Sequence, residues 1–273
     1  MPEAPELEVI VEFLRDRVIG TGVTSATVIK PSVLRSLHGD MGLDAPGRSI
    51  TVVQRRGKFV LLSLSGDRLL AINPMLTGAL QYCSPADRLF KRTCIVLSLS
   101  NGCELRYLDE RQMGAVYYLR QDQFGQLPRI AEQGPDVLDD TSFQEFQRLL
   151  RTSPGEIKGI LTRGKVIAGI GNAYSDEILF AARIYPFRKR KSLTENELSR
   201  LFESFRAVVL EAIPAVKERM GVKIHTKPRD FLKVHNRGGL PCPRCGHTIS
   251  QVTANKRITS YCRRCQPGML IKN

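Results

Sequence analysis

Two CxxC pairs near the C-terminal end constrain the fold of this 273-residue chain more than any other feature. The ligand candidates are Cys242 and Cys245 in the first pair and Cys262 and Cys265 in the second, with sixteen residues between the pairs. Each pair can place two thiolates on one side of a tight turn, and two facing turns complete the tetrahedron that suits Zn²⁺. Four protein ligands fill the metal shell, so we predict one structural Zn²⁺ on which the folding of a C-terminal hairpin depends. Four unmetallated thiols are the alternative.

The remaining cysteines and the N-terminal sequence favour a reducing compartment. Cys83, Cys94 and Cys103 lie in strand-like apolar runs and are expected to be buried free thiols. The N-terminus is acidic before it becomes amphipathic, unlike a signal peptide, and no run of about 18 apolar residues is present. We therefore expect an intracellular protein without a membrane partner, located in the cytoplasm or nucleoid, or in the nucleus or an organelle of a eukaryote.

The charge balance indicates a polyanionic partner. The chain carries 41 Lys and Arg against 27 Asp and Glu, a formal net charge of +14. Such an excess favours nucleic acid first and an anionic membrane second. A basic surface that serves solubility alone is the alternative.

Changes in periodicity divide the chain into three predicted domains of an α+β fold. In residues 1–133, an amphipathic helix at 5–18 precedes short β-rich runs separated by turn residues, which indicates an N-terminal helix plus an antiparallel β-sandwich. Residues 134–235 show helical spacing of apolar positions and form the predicted helical domain. Within it, Thr194 and Glu197 predict a capping box at the start of a long amphipathic helix that runs to about Arg219. Residues 236–273 lack a helical period and form the predicted zinc-ribbon hairpin.

Two features outside the cysteines are suited to phosphate contacts. Gly169 and Gly171 directly precede a predicted helix that starts near Asn172, and the exposed N–H groups of a helix start attract anions. Because no parallel βαβ unit surrounds this turn, a helix–turn–helix element that grips DNA fits better than a dinucleotide loop. Lys256 and Arg257 lie near the tip of the predicted hairpin. A purely structural turn and a solvated tip are the alternatives.

Three motifs, in the same order along the chain, carry a resemblance that spans nearly all of it. They are Met1-Pro2-Glu3, the stretch GIGNAYSDEILFAARIYP and the four-cysteine ribbon. Together they resemble the formamidopyrimidine-DNA glycosylase / endonuclease VIII family of bifunctional DNA glycosylases and AP lyases. The resemblance implies a β-sandwich with an N-terminal helix, a helix–two-turn–helix domain and a zinc finger. It also implies a monomeric base-excision-repair enzyme whose partner is double-stranded DNA with a damaged base or an abasic site.

The resemblance implies a role for each matching residue. Pro2, after removal of Met1, matches the nucleophile, Glu3 matches its acid/base partner, and Lys58 matches a β-hairpin lysine near the lesion phosphates. The DNA contacts it implies are Lys158 near the damaged nucleotide, Asn172 and Arg257 on a phosphate, Arg111 facing the orphaned base, and Leu76 with Met113 as the wedge that fills the gap. For the two wedge residues, burial in the core is the alternative.

The expected chemistry depends on a secondary amine at the chain start. The pKa of an α-amino group is about 7.7–8.0 in peptides, well below that of lysine, so a useful fraction is an unprotonated nucleophile at neutral pH. Its attack on the sugar C1′ displaces the base and yields an iminium ion that has no N–H proton to lose. This cation acidifies the C2′ protons and promotes elimination of the phosphates, while an adjacent carboxyl delivers and accepts protons.

Several positions depart from the family pattern and leave the lesion open among oxidised purines, oxidised pyrimidines and other damage. Asn73-Pro74-Met75 replaces a His-Leu-Gly type of sequence, Met113 stands where a Phe is frequent, and Arg163 stands where an acidic residue is frequent. An oxidised base is the expected substrate.

Two functions from other classes stay open. A catalytically silent DNA-damage binder would keep the zinc hairpin and the glycine-rich turn without depending on Pro2. A zinc-ribbon nucleic-acid-binding regulator would prefer undamaged sequence or RNA over damaged duplex.

Overall fold

The computed structural model describes residues 1–254 and 257–268, and the chain divides into two compact units. The first unit comprises Met1–Ala131 and Val216–Pro228, and the second comprises Glu132–Ala215 and Arg229–Asn273. The segment at 216–228 therefore returns to the first unit after most of the helical region has been traversed. The division into three domains, with boundaries after residues 133 and 235, stays a prediction.

The first unit begins with helix α1 (Ala4–Val18), close to the predicted bounds. Pro5 stands at the start of the helix, where its missing N–H removes no helical hydrogen bond, and Glu6 places a negative charge near the positive end of the helix. Arg15 and Arg17 lie in the last turn, near the negative end. The buried apolar face consists of Leu7, Val9, Ile10, Val11, Leu14 and Val18. The helix is therefore anchored from its first turn.

Apart from a short helix, α2 (Met41–Asp44), the rest of the first unit consists mainly of strands that form two sheets. In chain order the strands are β1 (Val23–Val28), β2 (Leu34–Ser36), β3 (Ile50–Arg56), β4 (Phe59–Leu64), β5 (Arg68–Asn73), β6 (Gly78–Cys83), β7 (Thr93–Leu99), β8 (Glu104–Asp109) and β9 (Ala115–Arg120). The four-stranded sheet has the order β1-β7-β8-β6, and the five-stranded sheet has the order β2-β9-β5-β4-β3. The pairings are antiparallel, as predicted, except for the short parallel pair of β2 and β9.

Both faces of the five-stranded sheet are covered. Successive side chains on a strand point to opposite faces, and β4 is buried at every position. One face packs with a 3-10 helix at Gln121–Gln126 in a cluster of Phe59, Leu61, Leu69, Ala71, Leu119 and Leu127. The alternating residues are equally buried, among them Val60, Leu62, Leu70, Ile72 and Tyr118. A sheet that is buried on both faces needs a packed layer against each of them.

Two of the connections between the sheets are neighbouring loops. The loop at 74–77 leads from β5 in the five-stranded sheet to β6 in the other, and the loop at 110–114 leads back from β8 to β9. Asn73 pairs with Ala115 and Gly78 pairs with Asp109, so the two loops leave the sheets side by side.

The second unit is helical and ends in a hairpin. Its elements are α3 (Phe143–Arg151), α4 (Ile157–Thr162), α5 (Asn172–Ala181), most of α6 (Glu195–Met220), β10 (Ser250–Ala254) and β11 (Arg257–Tyr261). The predicted capping box is present at the start of α6, where the backbone N–H of Thr194 donates to Glu197 at 2.9 Å and the N–H of Glu197 donates to Thr194 Oγ1 at 3.3 Å. The β10–β11 pair is the hairpin that the cysteine spacing predicted.

The side chains of the three cysteines outside the CxxC pairs differ in burial. Cys94 is fully buried, as predicted, whereas Cys83, at the end of edge strand β6, and Cys103, in the turn before β8, are half-buried. Within the described ranges, no helix has the length and apolar character that a bilayer crossing requires.

Candidate functional site

The first two residues after Met1 are held in place at the start of α1. Pro2 is buried and Glu3 is 2% exposed. The backbone N–H of Glu3 donates to the Glu6 carboxylate at 2.8 Å, and the Glu3 carbonyl accepts from the N–H of Leu7 at 3.0 Å. A chain start usually frays, whereas these bonds fix the Glu3 backbone and so present Pro2 at a defined position.

Lys58 lies on a hairpin that packs against the same helix. It is half-buried in the turn between β3 and β4, next to Gly57, whose φ of 57° favours glycine. Arg55 on β3 forms an ion pair with Glu8 of α1, with 2.9 Å between Nε and Oε2, and the Arg55 side chain is only 3% exposed. The structure therefore ties the hairpin that carries Lys58 to the helix that begins beside Pro2 and Glu3.

The predicted wedge residues lie on the two loops that connect the sheets, and they are exposed. Leu76 is 48% exposed in the first loop, and Met113 is 46% exposed in the second, beside the exposed Arg111. The alternative that Leu76 and Met113 are core residues is wrong. Two large apolar side chains held in water on adjoining loops are instead suited to contact a partner.

A cavity of about 400 Å³ in the second unit brings together three of the residues predicted to contact DNA. Lys158, Asn172 and Arg257 line it, together with Thr259 and residues of α4. Asn172 Nδ2 donates to the carbonyl of Ile258 at 2.8 Å, while its Oδ1 is buried without a hydrogen-bond partner among the described residues. Arg257 is exposed at the start of β11, and Lys256, the other predicted cation of the tip, lies outside the described residues.

Lys158 is more enclosed than the sequence suggested. Its side chain is 9% exposed, and Nζ lies 2.7 Å from Asp176 Oδ1, 2.7 Å from the Ile258 carbonyl and 2.8 Å from Thr259 Oγ1. Lys158 and Asn172 therefore both donate to the backbone carbonyl next to Arg257. They fix the position of the strand that presents this arginine.

Sequence reasoning missed two buried carboxylates on α5. Asp176 is fully buried and, besides Lys158, accepts from the N–H of Ser260 at 3.1 Å and contacts His235 Nδ1 at 2.7 Å. Glu177 accepts from three consecutive backbone N–H groups, those of residues 233–235, at 2.8–2.9 Å, although burial still raises the pKa of its carboxyl. Two adjacent acids directly before the apolar end of the helix were the available signal, because buried carboxylates are rare unless they are paired.

Replacing Asp176 should destabilise the second unit strongly. In Asp176→Asn the Lys158 ammonium stays buried without its counter-charge, and breaking a buried pair in this way costs about 3–5 kcal/mol. The measurement is the free energy of unfolding from urea titration. The matched control is Asp140→Asn, because the Asp140 side chain is fully exposed in its ion pair with Arg206. Equal unfolding free energies for the two variants would contradict the assigned pairing.

The four CxxC cysteines converge as a metal site requires. Their sulfur atoms all lie within 4.8 Å of one another, with 3.8 Å between Cys242 and Cys265 and 3.5 Å between Cys245 and Cys262. A tetrahedron with Zn–S bonds of about 2.3 Å has S···S edges of about 3.8 Å, so the donor set fits Zn²⁺. Each pair also forms the predicted tight turn, since the residue after the pair donates its N–H to the carbonyl of the first cysteine.

The pKa values of the cysteine thiols in this cluster also favour binding of a cation. A backbone N–H from His247 lowers the pKa of Cys245 to about 7, whereas burial raises the pKa of Cys262 and that of Cys265, the latter to about 12. Four thiolates can therefore coexist here only around a positive ion. The cysteines form the site of one structural zinc, as predicted, and leave no ligand position for a substrate.

Comparison with known proteins places all three regions in one family. The N-terminal and H2TH domain models of formamidopyrimidine-DNA glycosylase match residues 1–116 and 133–224, and the model of a zinc finger found in FPG and IleRS matches residues 239–268. A formamidopyrimidine-DNA glycosylase from Pelotomaculum thermopropionicum is 35% identical over 97% of this chain and 99% of its own length.

Solved structures of enzymes from the same family also match this chain. A Lactococcus lactis FPG variant in complex with Fapy-dG-containing DNA matches with a TM-score of 0.88 and 26% identity, over 98% of this chain and 100% of that one. The Lactococcus lactis enzyme in complex with abasic-site DNA matches with a TM-score of 0.87 and 25% identity, over 97% of this chain and 100% of that one. The matches extend over essentially the whole chain, so they cover the N-terminal site, the cavity around Asn172 and Arg257, and the cysteine cluster.

Proposed function

This chain belongs to the formamidopyrimidine-DNA glycosylase family, whose members are base-excision-repair DNA glycosylases that typically also carry AP lyase activity, and on this premise we propose that Pro2 is its nucleophile. After Met1 is removed, the secondary amine of Pro2 attacks C1′ of the damaged nucleotide. The observation that carries this proposal is the placement of Pro2 and Glu3, which are both buried and fixed at the start of α1.

In the proposed reaction the N-glycosidic bond breaks as the bond from nitrogen to C1′ forms, and the base leaves with the electron pair and takes up a proton. Opening of the sugar ring then gives an iminium at C1′ and a hydroxyl at C4′. Loss of a C2′ proton sends its electron pair toward C3′ and expels the 3′ phosphate, which cuts the strand. Water finally hydrolyses the iminium and frees the amine of Pro2.

Glu3 and Lys58 have complementary proposed roles. The Glu3 carboxyl follows Pro2 directly, so it is the nearest acid/base group along the chain to deliver a proton to the ring oxygen and accept one from C2′. Lys58, half-buried on the hairpin tied to α1, carries the positive charge for phosphates next to the lesion.

The partner is double-stranded DNA with a damaged base or an abasic site. The solved relatives were crystallised with DNA that contained Fapy-dG or an abasic site, and we propose an oxidised base as the lesion. Leu76 and Met113 fill the gap that the extruded nucleotide leaves, and Arg111 faces the orphaned base. Asn172 and Arg257 bind a phosphate at the cavity that they share with Lys158, which lies near the damaged nucleotide. We propose that the enzyme works where DNA is held, in the cytoplasm or nucleoid, or in the nucleus or an organelle.

Replacing the exposed arginine of the hairpin should lower the salt dependence of binding. Each phosphate contact releases condensed counterions, so Arg257→Ala should reduce the slope of log K against log salt by about 0.9. Duplex binding measured from low to high salt checks this expectation. Arg148→Ala is the matched control, since Arg148 is 70% exposed on α3 and lies outside the proposed site. An unchanged slope for Arg257→Ala would remove Arg257 from the phosphate contacts.

Borohydride trapping tests the proposed chemistry. The untagged protein is incubated with duplexes that carry an abasic site or one of several oxidised bases, and borohydride reduces any iminium to a stable amine. We expect an adduct whose mass maps to the N-terminal peptide and whose amount identifies the preferred lesion. A silent damage binder would bind these duplexes without an adduct, and a zinc-ribbon regulator would prefer undamaged sequence or RNA in competition.

A further inference from the structure

A fully buried carboxylate that the chemistry does not use lies between the two loops that connect the sheets. Asp109 ends β8 and is 0% exposed. A buried carboxylate needs several donors, because every unsatisfied lone pair costs free energy. Its Oδ1 accepts from Thr77 Oγ1 and from the backbone N–H of Gln112 at 3.1 Å. Its Oδ2 accepts from the backbone N–H of Gly114 at 2.7 Å and from the Tyr107 hydroxyl at 3.1 Å.

These donors come from both loops and lie directly beside the exposed residues. Thr77 follows Leu76 in the first loop, while Gln112 and Gly114 flank Met113 in the second. Thr77 Oγ1 also accepts from the backbone N–H of Arg111 at 3.4 Å. One carboxylate and one hydroxyl therefore set the spacing between the loops that carry Leu76, Arg111 and Met113.

Glycines allow the loops to close on this carboxylate. A Cβ added to Gly114 would lie 1.9 Å from the Tyr107 hydroxyl and 3.0 Å from Asp109 Oδ2. A Cβ added to Gly78 would lie 2.4 Å from the same hydroxyl and 2.2 Å from the carbonyl of Pro74. Tyr107 is itself 2% exposed, so the space between the loops is filled by its ring and the Asp109 carboxylate.

We propose that Asp109, acting through Thr77, is a positioning residue that holds Leu76, Arg111 and Met113 ready to enter a duplex. The inference rests on the proposed function, in which these side chains fill the gap of an extruded nucleotide. Insertion into stacked bases must order two exposed loops, and loops that are already ordered avoid most of that entropic cost. Because Arg111 faces the orphaned base, the same bonds also set the discrimination between opposite bases.

The test compares a reaction that needs gap filling with one that does not. Base excision from a duplex requires extrusion and wedge insertion, whereas strand cleavage at an abasic site in single-stranded DNA requires neither. Thr77→Val keeps the side-chain shape but removes the hydroxyl, and Thr77→Ser keeps the hydroxyl as the matched control. Asp109→Asn is the stronger variant, since its amide N–H₂ group cannot accept from the two donors on its side.

Thr77→Val should slow excision from the duplex by about tenfold or more, the size expected for losing a hydrogen bond to a charged group. Cleavage of the single-stranded abasic substrate should stay unchanged, opposite-base discrimination should fall, and Thr77→Ser should behave as wild type. Asp109→Asn should likewise slow excision from the duplex but not cleavage of the single-stranded substrate, and its effect on excision should be larger. If Thr77→Val lost activity equally on both substrates, or on neither, the proposal would be overturned. The Thr77→Val result is sufficient for this test even if Asp109→Asn fails to fold.

A failure of the proposed function would look different. In that case the wild-type protein itself would form no adduct with either substrate. Insertion of the wedge residues into the duplex can then be measured without any cleavage reaction. The signal is the fluorescence of 2-aminopurine placed opposite a non-cleavable abasic analogue. A change in that signal for Thr77→Val, but not for Thr77→Ser, supports the positioning role, and identical signals overturn it.

Discussion

Blocking the nitrogen of Pro2 will abolish the covalent adduct and strand cleavage but leave binding to an abasic duplex in place. An uncleaved N-terminal extension converts the amine into an amide, whose nitrogen is not a nucleophile at neutral pH. The loss should exceed the roughly 10²–10⁴-fold that removal of a general acid–base group causes, which is the loss expected for Glu3→Gln. Single-turnover cleavage and borohydride trapping measure the effect.

The controls separate chemistry from folding. Pro5→Ala changes the other proline near the chain start, which lies in the first turn of α1, and it should retain adduct formation. Pro2→Gly leaves a primary amine at the terminus and should form the adduct slowly rather than not at all. Full strand cleavage by N-terminally extended protein, with the extension shown intact by mass spectrometry, would rule out Pro2 as the nucleophile.

Removing one zinc ligand should have the second largest effect. Cys265→Ser leaves three thiols for a site whose sulfur atoms now lie within 4.8 Å of one another, and metal binding to such sites contributes about 10–16 kcal/mol. We expect loss of the bound zinc, unfolding of the β10–β11 hairpin and a steep loss of duplex affinity. Metal content by mass spectrometry and binding to an abasic duplex measure these outcomes.

The hairpin should be sensitive to the metal because its core includes the ligands themselves. Cys242 and Cys262 are buried in one cluster with Phe180, Val234 and Ile249. Cys103→Ser, at a half-buried cysteine outside the cluster, is the matched control and should keep both zinc and affinity. A Cys265→Ser protein that retained full affinity would show that the hairpin folds without the metal.

Local patterns were enough to predict several parts of the fold and the site. The cysteine spacing predicted the metal cluster because both ligands of each pair lie within one tight turn. Apolar spacing predicted α1, and the sequence around Thr194 and Glu197 predicted the start of α6, because a helix repeats over neighbouring residues. The resemblance indicated Leu76 and Met113 as wedge residues, and their exposure agrees with that interpretation.

Features that depend on distant residues were not predicted. Asp109 ends a strand and precedes Glu110 and Arg111, so in the sequence it looks like an ordinary solvated turn residue. Its burial depends on donors that are near in the sequence and also on Thr77, which lies 32 positions earlier. Lys158 similarly finds its partners about 100 positions later, on β11. The parallel pairing of β2 with β9 joins strands that no local period relates.

The return of residues 216–228 to the first unit has a consequence during synthesis. Met220 and Ile224 are 2% and 1% exposed, so these residues complete the apolar interior of a unit that otherwise ends at Ala131. A ribosome adds about 5–20 residues per second, so the intervening segment delays completion by about 4–17 s. The nascent N-terminal unit therefore waits, with an uncovered apolar patch, until the end of α6 emerges. This interval is when chaperones would be expected to engage the chain.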